Sequence, residues 1–547
     1  MKSIIFSNSL SRLAASVVLI WAVVPACSGN ESAKDLRPNI LLIVADDLGY
    51  ADLGVHGSEI RTPNIDGLAA EGIHFSRFHT APMCAPTRAM LLSGNNNHVA
   101  GMARQHPAGL VQEYLPGYEG HLSDRIIPLP KLLRDAGYHT YTAGKWHLGT
   151  EQEHSALAAG FERSYNLVDG AGNHWNAVGF DNRPSIYRQD GVLTEYPDGE
   201  YSTAVYTDRL IDFIDQQKDD GQPFFAFATY TSPHWPLQVP EDELDRYKGA
   251  FDQGYDALRE KNFNALKAAG IVPLWSVLPP RNGAITPWQE LTAQEQKTEA
   301  RKMELYAAMV ENLDGHIGRL LNYLKATHQY ENTLVVFMSD NGAAAEDFYD
   351  HEEFRDYLQA HYDNRFENMG QPDSWVSYGP QWAEASSAPF KRYKGHVYEG
   401  GIVAPMIIAG AGVKAQTGIN SAYVTLMDLA PTFLSVAGTH YPADESLAPQ
   451  LGENMQALLA GQTTVVHADD YVTTLSHRGG SFVRKGNWKM VQDDRPFDED
   501  NFELYDLGSD PGEMTNLAAD KPEIMETMTT LWQTQRSELG IVLPSDL

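Results

Sequence analysis

Runs of apolar residues alternate along the chain with segments of helical periodicity. The apolar runs cover residues 38–45, 223–230, 332–338 and 404–409. Continuous runs of this kind are typical of parallel strands that are buried on both faces of a sheet. Helical patterns cover residues 129–136, 204–217 and 302–325. The alternation predicts an α/β fold, in which a large, mostly parallel sheet is sandwiched by helices.

Two long segments lack clean periodicity, residues 254–298 and 343–387. Both are rich in aromatic, acidic and turn-forming residues. Long irregular insertions beside strand ends often carry functional residues. We therefore expect these two segments to contribute to function.

The last part of the chain has a different pattern. Short stretches of alternating apolar and polar residues occupy positions 465–471, 480–485 and 488–492. A helical pattern follows from residue 521 to about residue 538. This pattern predicts a small antiparallel sheet with one helix. We therefore divide the chain into a catalytic domain over residues 36–462 and a C-terminal α+β subdomain over residues 463–547.

The first residues have the pattern of an export signal. Lys2 and Arg12 precede an apolar stretch over residues 13–24, which is shorter than the roughly 20 residues needed to cross a bilayer. We predict a signal peptide over residues 1–27 and a polar tether over residues 28–35. Val24-Pro-Ala-Cys27 resembles a bacterial lipobox, although Pro25 is unusual there. Two mature forms remain open: a lipoprotein anchored in the outer membrane through Cys27, or a free periplasmic protein.

Charge and cysteine content narrow the classes of function. The chain of 547 residues has a formal net charge of −31, which argues against nucleic-acid binding and is typical of a soluble exported protein. Its two cysteines are Cys27 and Cys84, so we expect no disulfide within the mature fold. A single thiol is either an inert buried group or a chemically special one. Composition does not predict the oligomeric state.

Acidic and amide side chains follow two of the predicted strands. Asp46 and Asp47 come after the first apolar run, and Asp340 and Asn341 after the third. Ligands of α/β sheets gather at the carboxyl ends of the strands. Adjacent carboxylates repel each other unless a cation lies between them. Oxygen ligands of this kind favour calcium or magnesium over zinc.

Two motifs resemble the signatures of one enzyme family. Cys84-Ala-Pro86-Thr-Arg88 opens a predicted helix that ends before Gly94, so the thiol lies where the helix dipole favours anions. About sixty residues later comes a segment containing Lys145 and His147, which would project from one side of an extended chain. Together these motifs resemble the type I, formylglycine-dependent sulfatases, and bacterial arylsulfatases most closely.

The resemblance extends over nearly the whole mature chain. It includes Ser232-Pro-His234, Lys394 with Glu399-Gly-Gly401, and the segment from Leu504 to Glu513. It implies an alkaline-phosphatase-like fold and a metal ion, for which we favour calcium over magnesium. The implied ligands are Asp46, Asp47, Asp340, Asn341 and the modified Cys84. The implied cofactor chemistry also requires a maturation enzyme that converts Cys84 to formylglycine.

The same resemblance implies roles for the remaining residues. Lys145, His234 and Lys394 would bind the sulfate group, and Arg88 would hold the hydrated aldehyde. Asp340 would accept the proton of the attacking hydroxyl, and His234 would protonate the departing alcohol. His147 would then deprotonate the second hydroxyl so that sulfate is eliminated. Cationic side chains held in place before the reaction would suit such a hydrolysis, because they stabilise the negative charge that moves toward the leaving oxygen.

Two other functions remain open at this point. Phosphonate monoester and phosphodiester hydrolases of the same superfamily share the aldehyde, the metal and the cationic pocket. If Cys84 were never modified, the protein could instead be a non-catalytic envelope lipoprotein that binds sulfated glycans. The sequence favours sulfate ester hydrolysis, with an aryl or glycan sulfate as substrate, but the insertions that select the alcohol are not specific enough to name it.

Overall fold

The computed structural model describes residues 37–105, 111–179, 183–347, 352–414, 418–494, 497–543 and 546. The predicted signal peptide and tether, including Cys27, lie outside these residues. The strands are β1 (Asn39–Ala45), β2 (Ile73–His79), β3 (His139–Lys145), β4 (Arg163–Leu167), β5 (Tyr187–Gln189), β6 (Val192–Thr194), β7 (Phe224–Thr229), β8 (Thr333–Ser339), β9 (Val403–Gly410), β10 (Gly418–Asn420), β11 (Val424–Thr425), β12 (Val472–His477), β13 (Gly480–Lys485), β14 (Trp488–Gln492) and β15 (Glu503–Asp506).

Helices surround these strands. They are α1 (Pro63–Glu71), α2 (Cys84–Ser93), α3 (Leu129–Asp135), α4 (Ser202–Asp215), α5 (Gly254–Ala268), α6 (Ala293–Ala326), α7 (Glu352–His361), α8 (Gly379–Ser386), α9 (Glu399–Ile402), α10 (Leu429–Val436), α11 (Gln456–Leu459) and α12 (Pro522–Leu539). No helix in the described part of the chain is long and apolar enough to span a bilayer.

The large sheet confirms the predicted α/β fold. Within the described residues it has 11 strands in the order β10-β2-β9-β8-β1-β7-β3-β4-β5-β6, with β11 paired to β2. Strand β1 is central and runs parallel to both β7 and β8. The four predicted apolar runs are β1, β7, β8 and β9, and β9 is antiparallel to its two neighbours. The sheet is therefore mixed and mostly parallel near the site.

Side chains of β1 explain why helices cover both faces of this sheet. All seven residues of the strand are buried. Leu41 and Ile43 pack in a core with α1, α4 and α6, whereas Ile40 and Leu42 pack in a second core with α2, α3 and α10. Because successive residues of a strand point to opposite faces, a continuous apolar run needs cover on both sides.

The C-terminal sheet is antiparallel, with the order β12-β13-β14-β15. The prediction of strands at 480–485 and 488–492 is confirmed by β13 and β14, and the predicted final helix is α12. The prediction of a strand at 465–471 is wrong, because this segment is irregular and largely exposed and the strand begins at Val472. Trp532 of α12 packs on Val483 and Met490 of the sheet.

Another difference concerns the first insertion, residues 254–298. We expected irregular chain there, but α5 occupies Gly254–Ala268. Its buried face includes Tyr255, Leu258 and Phe263, with Arg259 and Asn262 on the same stripe. Because these two buried residues are polar, the apolar residues alone do not show the helical periodicity of this segment. The described residues, from 37 onward, form one compact unit, and the proposed boundary between residues 462 and 463 stays a prediction.

Candidate active site

The ends of two parallel strands bring the predicted metal ligands together. In the register of β1 and β8, Ala45 lies opposite Ser339, so Asp46 and Asp340 follow at the same level. The backbone N–H of Asp47 donates to Asp340 Oδ1 at 3.2 Å, and Asn341 Nδ2 donates to Asp47 Oδ1 at 2.6 Å. Asp47 has a φ of 66°, a left-handed conformation that Asp adopts more readily than most residues. All four side chains are buried.

Cys84 is the first residue of α2 and faces these carboxylates. Its Sγ lies 3.4 Å from Asp46 Oδ1 and 3.8 Å from Asp47 Oδ1, and the residue is 1% exposed. Burial, followed by the negative charge of Asp46, raises the pKa of the Cys84 thiol. The helix N-terminus places backbone N–H groups and a partial positive charge beside this residue.

Each acidic side chain has a cationic partner. Lys145 Nζ lies 2.6 Å from Asp46 Oδ2, and Lys394 Nζ lies 2.7 Å from Asp47 Oδ2. Burial opposes the charge of Lys145, but the nearby acidic groups, of which Asp46 acts most strongly, together outweigh it and raise the pKa of the lysine. For Lys394 burial again opposes the charge, and the acidic groups around it, of which Asp47 acts most strongly, together raise the pKa. Both ammonium groups are therefore charged and ready to bind an anion.

Arg88 is held from several directions. Its Nη2 lies 3.1 Å from Asp340 Oδ2, and its Nη1 donates to the carbonyl oxygen of Lys145 at 2.8 Å. Nη1 also donates to the hydroxyl of Thr229, which in turn donates to the Lys145 carbonyl at 2.9 Å. Sequence analysis missed Thr229. Its only signal is its position as the last residue of β7, a parallel neighbour of β1.

His234 lies between the metal ligands and Lys394. Its Nε2 is 3.3 Å from Asp47 Oδ2 and 3.3 Å from Lys394 Nζ. Its Nδ1 lies 2.7 Å from the Trp235 carbonyl oxygen, which can only accept, so Nδ1 carries the proton. Burial and then the charges of Lys394 and Lys145 lower the pKa of His234 well below its ordinary value. Nε2 is thus the ring nitrogen that faces Asp47 and Lys394.

His147 reaches the site by a different geometry from the one expected. Strand β3 ends at Lys145, and His147 has a φ of 58°, so the two residues do not lie on one side of an extended chain. The extended-segment prediction is wrong because the backbone turns after the strand. His147 is half-buried, and its ring packs against Gly170. Burial and then the charges of Lys145 and Arg88 lower its pKa.

The residues present fit a hard divalent cation. Ligand atoms of Asp46, Asp47, Cys84 and His234 all lie within 4.8 Å of one another. Asn341 Oδ1 is buried and has no hydrogen-bond partner, as expected of an amide oxygen reserved for a metal. Burial and then electrostatic repulsion from Asp340 raise the pKa of Asp46. A cation bound among these carboxylates would reduce that repulsion. His234 adds a potential ligand that the sequence argument had not included.

Glu346 is a second residue that sequence analysis missed. Its Oε1 lies 3.7 Å from Lys394 Nζ, and its Oε2 is buried without a hydrogen-bond partner. The residue lies in the second insertion, six positions after Asp340. An acidic residue so soon after the strand-end cluster is its only signal. It places a hydrogen-bond acceptor beside the lysine that we expect to bind substrate.

Comparisons with known proteins agree with this arrangement. A family model described as "Sulfatase" matches residues 38–439, and one described as "N-sulphoglucosamine sulphohydrolase, C-terminal" matches residues 391–538. An uncharacterized sulfatase of Schizosaccharomyces pombe is 38% identical over 94% of this chain and 96% of its own length. The arylsulfatase of Klebsiella aerogenes is 36% identical over 82% of this chain and 96% of its own length.

A solved structure shares the fold. The crystal structure of Ps i-CgsB in complex with k-i-k-neocarrahexaose superposes with a TM-score of 0.65 and 24% identity, covering 91% of this chain and 92% of that chain. The fold is the alkaline-phosphatase-like fold of sulfatase structures, as predicted. Because the sulfatase model matches most of the chain, and because two relatives above 30% identity align over most of its length, this protein belongs to the sulfatase family, whose members hydrolyse sulfate esters.

Proposed function

We propose that this protein is an exported arylsulfatase-type enzyme that uses formylglycine, made from Cys84, to hydrolyse sulfate esters. The observation that carries the proposal is the position of Cys84 at the start of α2, 3.4 Å from Asp46 and facing the group formed with Asp47 and His234. Lys145, Lys394 and Arg88 border that group. Similarity to a protein named arylsulfatase supports aryl sulfates as one substrate class.

Charge balance explains how the site would attract a sulfate ester. Asp46, Asp47 and Asp340 carry three negative charges, which Lys145, Lys394 and Arg88 balance one for one. Glu346 adds a negative charge beside Lys394, and a divalent cation held by the carboxylates, Asn341 and residue 84 would still leave the site net positive. When bound, that cation, which we propose to be calcium rather than magnesium, polarises the sulfate oxygens and steadies the nucleophile. An anionic group then enters a pocket whose donors are already in place.

If Cys84 is converted to formylglycine, the hydrated aldehyde would have two hydroxyl groups, the first to attack sulfur and the second to drive the release of sulfate. Asp340 would accept the proton of the first hydroxyl as its oxygen bonds to sulfur. His234, which must first gain a proton at Nε2, would give that proton to the alcohol oxygen as the sulfur–oxygen bond to the leaving group breaks. Arg88, Lys145 and Lys394 hold the sulfate oxygens and the hydrate meanwhile. His147 would then remove the proton of the second hydroxyl, so that the carbon–oxygen bond to sulfate would break and the aldehyde would be restored.

A turnover panel tests this function. The enzyme, produced in a host that has the formylglycine-generating maturation enzyme, is assayed with aryl, alkyl, steroid and sugar sulfates and with phosphonate monoesters and phosphate diesters. The proposal expects the highest kcat/KM for sulfate esters, with aryl sulfates among them. A higher kcat/KM for phosphorus esters would favour a phosphonate monoester or phosphodiester hydrolase. Sulfated glycans bound without any turnover would indicate a non-catalytic protein.

Export is part of the proposal and has its own test. The basic residues Lys2 and Arg12 before an apolar stretch support cleavage before or just after Cys27. N-terminal sequencing and mass spectrometry of the protein from its native host should find this end, with a lipid on Cys27 in the anchored form. A cytoplasmic protein that begins at Met1 would contradict export to the periplasm or outer membrane.

A further inference from the structure

A cavity, here called the first cavity, lies at the edge of the large sheet. Its volume is about 390 Å³, within the range of small-molecule sites. Its walls come from β2, from residues 270–275 after α5, and from the C-terminal part of the chain. None of its described lining residues is among the predicted catalytic, metal-binding or sulfate-binding residues. The proposed chemistry therefore does not account for it.

Two arginines line this cavity without a carboxylate partner. Arg484 is 2% exposed; its Nη1 lies 2.9 Å from His79 Nε2, and its Nη2 is buried with no hydrogen-bond partner. Arg77 is half-buried and donates to the side-chain oxygen of Asn487 at 3.3 Å. In the described part of the chain neither guanidinium forms an ion pair within 4.0 Å. Both arginines line the same two cavities, and burial and then the charge of Arg484 lower the pKa of Arg77.

Among the described residues, two acidic ones line these spaces: Asp469 lines the neighbouring cavity described below, and Glu399, which lines this one, is already paired with other residues. Glu399 Oε2 lies 2.9 Å from His79 Nε2, and Glu399 Oε1 lies 2.8 Å from Lys489 Nζ. Two adjacent guanidinium groups with donor capacity to spare suit an oxyanion, because Arg binds carboxylate and sulfate oxygens through parallel N–H groups. The protein as a whole has a net charge of −31, so two neighbouring arginines create a local positive region that attracts anions.

The residues around Arg77 and Arg484 indicate the kind of molecule to which the anionic group belongs. Tyr50, Phe390 and Trp275 supply aromatic surface to the first cavity, and Trp275 is 55% exposed. The same two arginines also line a neighbouring cavity of about 380 Å³, whose walls include Tyr423 and Tyr471. Aromatic faces offer rigid apolar area for ring-shaped ligands. The arginines therefore lie between two spaces that are each large enough for a ring. A single small anion would fill neither space.

We propose that these two cavities form a second binding site for an anionic oligosaccharide, with one sulfate or carboxylate group at Arg77 and Arg484 and sugar rings in both cavities. The site is separate from the residues around Cys84, so it does not depend on turnover. It would hold a sulfated or uronic acid-containing chain on the enzyme between hydrolytic events.

Binding of defined probes to the full-length protein tests the proposal. Calorimetric titrations use a heparin hexasaccharide, a neutral maltohexaose, inorganic sulfate and 2-naphthalenesulfonate. We expect the hexasaccharide to bind and the neutral sugar not to bind. Arg77→Gln and Trp275→Ala should each weaken hexasaccharide binding roughly tenfold, the loss of about one charge-assisted hydrogen bond or one apolar contact. Both variants should keep kcat/KM for 4-nitrophenyl sulfate within about twofold of the parent.

A matched control separates this site from general charge effects. Arg365 has an 81% exposed side chain, pairs with Asp363 and lines neither cavity, so Arg365→Gln should bind the hexasaccharide as the parent does. Unchanged hexasaccharide affinity in both Arg77→Gln and Trp275→Ala would overturn the proposal. It would also be overturned if only inorganic sulfate or only naphthalenesulfonate bound in an Arg77-dependent way, because the ligand would then be a small anion and not an oligosaccharide.

Discussion

At the scale of single residues, the candidate active site is a set of buried charges that neutralise one another. Asp46 contacts Lys145, Asp47 contacts Lys394, and Asp340 contacts Arg88. Buried ions are costly to desolvate unless they are paired and hydrogen-bonded. The unpartnered amide oxygen of Asn341 is the exception in this group, and it marks the place where a cation is expected.

Metal removal should therefore affect both activity and stability. Exhaustive chelation should abolish turnover of 4-nitrophenyl sulfate and lower the Tm, because a bound cation stabilises the folded state by mass action and the carboxylates repel each other without it. Metal analysis of the untreated protein should find about one divalent ion per chain. Calcium should restore both properties. A metal-free protein with full activity and an unchanged Tm would contradict the assignment.

The role of His234 predicts a dependence on the leaving group. Its Nε2 is the atom that faces Lys394 and the carboxylates. His234→Ala should reduce kcat/KM strongly, by about 10²- to 10⁴-fold, for esters of poorly acidic alcohols, and much less for 4-nitrophenyl sulfate, whose leaving group needs no proton. A series of aryl and alkyl sulfates gives the slope of rate against leaving-group pKa. Equal losses across the series would exclude His234 as the general acid.

Part of this site could be read from the sequence. Asp46, Asp47, Asp340 and Asn341 each follow a recognisable buried strand, and parallel strand ends meet at one edge of a sheet. Thr229 and Glu346 could not be found in this way, because a single threonine or glutamate after a strand has no distinctive pattern. Their relation to Arg88 and Lys394 depends on tertiary contacts alone.

At the scale of elements, close backbone approach positions the segment that carries Lys394. The N–H of Gly342, after β8, donates to the carbonyl oxygen of Gly401 in α9 at 3.2 Å. A Cβ on Gly400 would lie 2.1 Å from the carbonyl oxygen of Arg392, and one on Gly342 would lie 2.1 Å from that of Gly400. The Glu399-Gly-Gly401 motif thus allows two chain segments to touch beside the site.

Gly400→Ala should consequently displace the segment with Lys394. We expect a loss of about 1–3 kcal/mol in the free energy of unfolding, because a side chain is forced against backbone. A fall in kcat for 4-nitrophenyl sulfate should accompany it. Gly315→Ala is the control: Gly315 is exposed in α6 with nothing within 4 Å of its added Cβ, so the change should be neutral or slightly stabilising. Parent-like stability and activity of Gly400→Ala would contradict this account.

Strands and helices could be predicted from the sequence where one pattern of apolar residues dominates. Strands β1, β7 and β8 are continuous apolar runs, because they are buried on both faces. The antiparallel direction of β9 was not predictable, since an apolar run does not encode its direction. Helix α5 was missed because Arg259 and Asn262 interrupt its buried face, where Asn262 donates to the Ala385 carbonyl oxygen and Arg259 lies 3.8 Å from Glu384.

At the scale of the whole molecule, a buried ionic network joins the two sheets. Lys489 of β14 lies 2.8 Å from a carboxylate oxygen of Glu399 and 2.8 Å from one of Glu513. Glu513 also accepts from the backbone N–H of Glu399 at 2.7 Å. The two glutamates belong to motifs far apart in the sequence, so the network fixes the C-terminal sheet next to the loop that carries Lys394. Both motifs are recognisable in the sequence, but the contact between them is not.

Lys489→Met should therefore destabilise the protein as a whole. Removing a fully buried ammonium leaves Glu513 without its cationic partner and Glu399 with only His79, and breaking a buried pair in this way typically costs about 3–5 kcal/mol. Urea denaturation measures the free energy of unfolding. Lys131→Met is the control, because Lys131 forms an exposed ion pair with Asp135 and its loss should cost less than about 1 kcal/mol. Similar values for the two variants would show that the network does not support the fold.

The central claim is that the enzyme acts through formylglycine at position 84, and peptide mass spectrometry combined with activity measurement tests it most directly. In protein from the native host, the peptide that contains residue 84 should lack the thiol, react with hydrazides as an aldehyde does, and show a modified fraction proportional to the specific sulfatase activity. Cys84→Ala should be inactive, and Cys84→Ser should accumulate a sulfated enzyme because it has no second hydroxyl to expel sulfate. Full multiple-turnover activity in preparations where every Cys84 is a free thiol would contradict the account.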